Sequence, residues 1–179
     1  MQKRFIVIKT VLYLADILLI IGFQTSVLPR LGAGRLAPML TVYLAAAAAV
    51  FDGAGAGGLV GLVCGLLTDA LCGSTLLYHT LFLSLISALV GYISPNIFRR
   101  RVLTAVGWGI FADIAIQSCR FIFSVYLFNR APFSELFTVV MPSVGIAAAL
   151  GLPVIALARL IGRLGRRESN QSMLRGRIG

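Results

Sequence analysis

The chain has 179 residues, of which 59% are apolar and 12% charged, with a formal net charge of +10. So few charges cannot solvate a globular surface of this size, which excludes an ordinary water-soluble domain. The Lys and Arg residues gather at the two ends and at Arg99–Arg101, the pattern of membrane flanks rather than of a nucleic-acid-binding stripe.

The apolar runs predict an all-α membrane protein, a polytopic bundle of about six transmembrane helices filling residues 1–167, with a polar, disordered tail over 168–179. The first span, 6–28, carries Lys9, Asp16 and Gln24. A charge near the bilayer centre costs at least about 2.5 kcal/mol, so these side chains are expected to face protein or a wet cavity, with Lys9 free to reach the membrane surface. The second span, 38–51, is short and contains five alanines, Ala45–Ala49, which let neighbouring helices approach closely. A tight turn at Asp52-Gly53 leads into the third.

The third span is the most patterned. Gly53, Gly57, Gly61 and Gly65 recur every fourth residue, and Asp69 and Gly73 continue the register. On a helix this spacing makes a groove without side chains, ending at one carboxylate. In lipid, helices associate by close backbone approach at small residues, so the groove predicts a partner helix, internal or from another protein. Gly57 and Gly61 are assigned to internal packing, and Asp69 and Gly73 to the end better placed to meet a partner.

The fourth span, 75–93, holds the lone histidine, His79, read as a hydrogen-bonded structural residue, and is expected to stop at Pro95. The fifth, 102–128, places Gly109, Asp113, Gln117, Arg120 and Ser124 on one face. Asp113 and Arg120 could pair through Gln117, or with Asp16 or Asp69. Asp16, Gln24, Asp113, Gln117 and Arg120 are thus a candidate intramembrane polar set, an internal clamp or a ligand or proton site. The sixth span, 137–160, is expected to be kinked by Pro142 and Pro153 and to leave the membrane through Arg159, Arg163, Arg166 and Arg167. With six spans, the side bearing both termini carries most of the basic residues, which predicts cytoplasmic termini.

No stretch reads G-x-x-x-x-G-K-[ST], H-E-x-x-H or G-x-S-x-G, and the glycine-rich helix lacks the lysine of a phosphate loop. The three cysteines form no C-x-x-C pair. The chain is therefore read as noncatalytic, with no metal, no cofactor and no nucleic-acid partner.

The run Gln24-Thr25-Ser26-Val27-Leu28-Pro29, then Gly57-x3-Gly61-x3-Gly65-Leu66-Leu67-x-Asp69, then Gly73-Ser74-x2-Leu77 resembles MreD, the rod shape-determining membrane protein family. The resemblance covers about residues 23–92 and extends elsewhere by hydropathy. It implies an integral-membrane scaffold of the bacterial cell-elongation machinery, in the inner membrane. Its partners would be the periplasmic coiled-coil protein MreC, the actin-like MreB, directly or indirectly, the elongation glycosyltransferase and transpeptidase, and membrane lipid. The alternative is a substrate-binding S component of an energy-coupling-factor vitamin transporter, since those are also six-span proteins with glycine-rich helices, and the two families may share a fold. The first span here lacks their A-x-x-x-A docking pattern.

Overall fold

The computed structural model of the chain describes residues 2–30, 38–72, 77–97, 102–128 and 141–175, and these are organised as six α-helices. In order they are α1 (Gln2–Gly22), α2 (Leu40–Asp52), α3 (Ala54–Cys72), α4 (Tyr78–Ile97), α5 (Val102–Phe128) and α6 (Met141–Arg175). Segments Val7–Val27, Ala54–Leu71, Val102–Cys119 and Met141–Ile161 are long and apolar enough to cross a membrane. Gly73, Arg99–Arg101 and the expected loop 129–135 lie outside the described residues.

α1 passes directly into a π-helical turn, Phe23–Val27, closed by the Leu28 amide donating to the Phe23 carbonyl at 3.3 Å. Pro29 gives a reason for the wider turn. Its nitrogen carries no hydrogen for the carbonyl one turn back, and its ring crowds that carbonyl.

The centre of the bundle is α2. Every residue from Leu40 to Phe51 is buried, including all of Ala45–Ala49. It lies against α3, α4, α5 and α6, while α3 and α4 share the most extensive interface in the molecule. At 1.5 Å per residue, the 13 residues of α2 reach only about 20 Å, short of a hydrocarbon core of about 30 Å. The second apolar run is thus an interior helix clad by its neighbours. The outer surface is apolar too: Val7, Val11, Leu14 and Leu18 on α1, Leu59 and Leu66 on α3, and Leu81 and Leu85 on α4 are all exposed. In water this would be an aggregating surface, whereas against lipid tails it is matched.

Two expected boundaries are corrected. α4 runs on past Pro95 to Ile97, because a proline in a last turn removes only one backbone bond. Pro153 is interior to α6, whereas the residues that precede Pro142 by more than one position lie outside the described residues. The backbone of α6 stays helical to Arg175, across most of the segment from 168 that was expected to be disordered. Polar composition there had argued against a packed core, but a helix propagating from a buried span needs none.

Candidate functional site

The glycine groove is filled from within the chain. A Cβ built on Gly57 would stand 2.5 Å from the Ala49 Cβ of α2, and one on Gly61 would stand 2.7 Å from the Leu83 carbonyl oxygen of α4. At Gly65 it would run into the Thr80 backbone and the His79 carbonyl. Gly91 of α4 returns the arrangement, facing the Ala54 backbone at 2.5 Å. The ladder is therefore a backbone-to-backbone seam between α3 and α4, with its first rung on α2. Gly53 joins it by its backbone, its carbonyl carbon standing 2.7 Å from a Cβ built on Gly91. Its φ of +96° turns the chain between α2 and α3, and nothing lies near its own Cβ position, so the need for glycine at this position is conformational.

Asp69, at the far end of the seam, is buried and engaged. Its Oδ1 accepts the His79 amide at 3.2 Å and pairs with His79 Nδ1 at 2.7 Å. Its Oδ2 accepts the Thr80 amide at 2.8 Å and the Thr80 hydroxyl at 2.7 Å. α4 starts at Tyr78, so these two amides belong to its first turn, which has no intrahelical acceptors for them. Asp69 does the work of a helix N-cap from a different helix. Leu77, which precedes α4, adopts φ +46° and offers its carbonyl to the Leu81 amide at 3.1 Å, and so has no side-chain oxygen to cap with. The placing of Asp69 at a partner surface is thereby corrected: its oxygens are taken up inside the chain. Beside it, the Tyr78 hydroxyl donates to the Ile116 carbonyl at 2.7 Å and ties α4 to α5.

At the opposite end, Lys9 does not reach outward. Its Nζ lies 2.7 Å from Asp52 Oδ1, and the Tyr13 hydroxyl donates to Asp52 Oδ2 at 2.6 Å. Asp52 ends α2, so this trio clasps α1 onto the α2–α3 turn. Sequence reasoning treated Asp52 as a turn residue. The available signal was topological, since six spans put Lys9 and Asp52 at the same membrane depth. Asp52→Ala strands a lysine and a tyrosine hydroxyl, and hydrogen bonds to charged groups are worth about 1.5–3 kcal/mol. The expected outcome is a lower yield of folded protein, with Lys9→Met combined with Asp52→Leu recovering part of it, measured as monodisperse protein after detergent extraction. A double variant that is additively worse would show that the two residues do not act as a pair.

The five residues expected to form one polar set are split. Asp16 is buried, its Oδ2 bonded to no protein group. Gln24 sits in the π-helical turn with a buried Oε1 that has no partner. Asp113 is fully buried, and neither of its oxygens accepts a hydrogen bond. Gln117 donates instead to the Ser143 hydroxyl of α6 at 3.1 Å. The side chain of Arg120 lies outside the described residues, and with it the expected pairing of Asp113 with Arg120 through Gln117. Among the described residues, no bond joins Asp16 to Asp113. The side chain packed on this region is one that sequence reasoning passed over. The ring of Tyr43, on α2, fills the positions that side chains would occupy at Gly109 on α5 and Gly151 on α6. A large ring just ahead of the alanine run, with glycines at 109 and 151 to receive it, was the signal for it.

Among the described residues, no three His, Cys, Asp or Glu side chains are grouped as metal ligands. Compared with known protein families, curated proteins and solved structures, the chain matches none. What the geometry defines is a helical membrane bundle whose charged side chains at the two ends of α3, Asp52 and Asp69, hold helices to one another.

Proposed function

We propose that this chain is a noncatalytic integral-membrane scaffold of the bacterial cell-elongation complex, of the MreD kind, in the inner membrane with both termini cytoplasmic. The observation that carries the reading is the α3–α4 seam. The stretch on which the resemblance rests, Gly57 to Asp69 with Leu77, is a single constructed unit in which the glycines admit α4 and Asp69 caps it. A rigid six-helix body presenting apolar faces to lipid suits a component that holds others in place. Its partners in this reading are an MreC-like coiled-coil protein, the elongation glycosyltransferase and transpeptidase, and MreB, directly or through them. The S-component alternative has no structural observation in its favour beyond the helix count.

Depletion tests the proposal. Rod-shaped cells losing this protein are expected to become spheres while vitamin uptake continues, and mild-detergent extracts of untreated cells are expected to contain it together with the MreC-like partner. Cells that keep their rod shape but become auxotrophic would transfer the chain to the transporter class.

A further inference from the structure

The α2–α5–α6 core contains a polar knot that no protein group satisfies. Asp113 is 0% exposed with both carboxyl oxygens unbonded, and the hydroxyl of Tyr43, also 0% exposed, has no partner. The two belong together. Gly109 lies against the Tyr43 ring, Asp113 is one turn further along α5 on the same face, and Asp113 is the charged group whose field reaches the Tyr43 hydroxyl. Gln117, one turn on again, is near enough to act on the Asp113 carboxyl, while its amide also donates to the Ser143 hydroxyl at 3.1 Å. α6 contributes Gly151, Ala147 and Ser143 here, and none of these carries a charge.

We infer that Asp113 and Tyr43 form a binding site for internal water, with at least one ordered molecule bridging the carboxyl and the phenol in the middle of the bundle. Tyr43 packs on Gly109 one turn from Asp113, and the three oxygens the two residues carry without a hydrogen bond match the two to four polar partners a buried water needs. Left dry, each would forgo a hydrogen bond that buried polar groups almost always make. A metal cation is the poorer match, because the site offers one carboxyl and one phenol where a sodium-like hard ion takes a fuller shell of oxygens. A carboxyl solvated in this way is held neither by an ion pair nor by a cap, unlike Asp52 and Asp69.

X-ray radiolysis in oxygen-18 water tests this on the unmodified chain in lipid nanodiscs. Hydroxyl radicals form from waters where they are bound, so a side chain touching an internal water is labelled however deeply it is buried. Tyr13 supplies the control, since its hydroxyl is buried and already bonded to Asp52. Tyr43 is expected to take up oxygen-18 severalfold faster than Tyr13, and Asp113→Leu is expected to bring its rate down to that of Tyr13. If Tyr43 is labelled no faster than Tyr13, the site is dry and the inference fails. A Tyr43 rate that changes when sodium replaces choline in the buffer would assign the site to a cation and would equally overturn it. Neither result bears on the scaffold reading, which the depletion experiment tests separately.

Discussion

Replacing Gly65 by alanine is expected to cost the protein most of its folded population, and replacing it by leucine nearly all of it. The first added carbon already meets backbone, the Thr80 amide nitrogen and the His79 carbonyl oxygen both at 2.7 Å, and backbone cannot rotate aside as a side-chain tip can. Overpacking typically costs about 1–3 kcal/mol. Here the strain also moves Thr80, whose amide and hydroxyl are held by Asp69, so the upper end of that range applies. Gly107→Ala on α5 is the control. Its Cβ position has nothing within 4 Å, so exchanging glycine for a better helix former is expected to leave stability unchanged or raise it by up to about 1 kcal/mol. The fraction folded after stepwise denaturation in mixed micelles measures both. A Gly65→Ala protein as stable as the parent would mean that the α3–α4 seam is not tight at that rung.

Asp69→Ala is expected to do comparable damage by a different route. Four donors lose their acceptor together: the His79 and Thr80 amides, the Thr80 hydroxyl and His79 Nδ1. Each buried group left unsatisfied costs about 1–3 kcal/mol, and the first turn of α4 has no other acceptor for its amides. Asp69→Asn keeps one carbonyl oxygen and is expected to fall between the parent and alanine, whereas Thr80→Val, which keeps the backbone amide, should cost about the 1 kcal/mol of one hydrogen bond. Protease accessibility of the segment before α4 gives a local reading. If Asp69→Ala leaves that segment as protected as in the parent, the cap is not what holds it.

The parts of this molecule that a reader of the sequence can reach are those written in a local period. Glycine at 57, 61 and 65 specifies a groove because four residues is about one helical turn, and the apolar runs specify helices because a membrane demands their length. What lies in the groove is a matter of three-dimensional neighbourhood. Gly57 meets α2 while Gly61 and Gly65 meet α4, since the helices cross the ladder at different heights, and no spacing within α3 records that. Asp69 was legible as a buried carboxylate but not as a cap, because its donors belong to the next helix and come within reach only once the hairpin has closed. Lys9 and Asp52, 43 positions apart by their numbers, illustrate the same limit. Glycine at 53 looked like the first rung only because it keeps the period, although its backbone has left the helix. Asp113 was expected to have a partner on the general ground that buried charge needs one, but the side chain of that partner, Arg120, lies outside the described residues, and sequence alone does not say what else surrounds the carboxyl.

The shortness and complete enclosure of α2 bear on how the protein is made. A nascent helix reaches the bilayer sideways from the translocation machinery and must be stable in lipid before its later neighbours exist. α2 has 13 residues, so alone it would leave its ends adrift in hydrocarbon or drag the bilayer inward. It emerges before α3, α4, α5 and α6, all of which enclose it in the finished structure. Its first durable shelter is α3, joined to it through the turn at Gly53, so the two are expected to enter lipid as one hairpin and to wait there for the rest. The order of synthesis thus makes α2 an early piece of the core, preceded only by α1, and the last to be fully covered, and an interruption of translation after α3 would leave behind a fragment that quality-control proteases can grip.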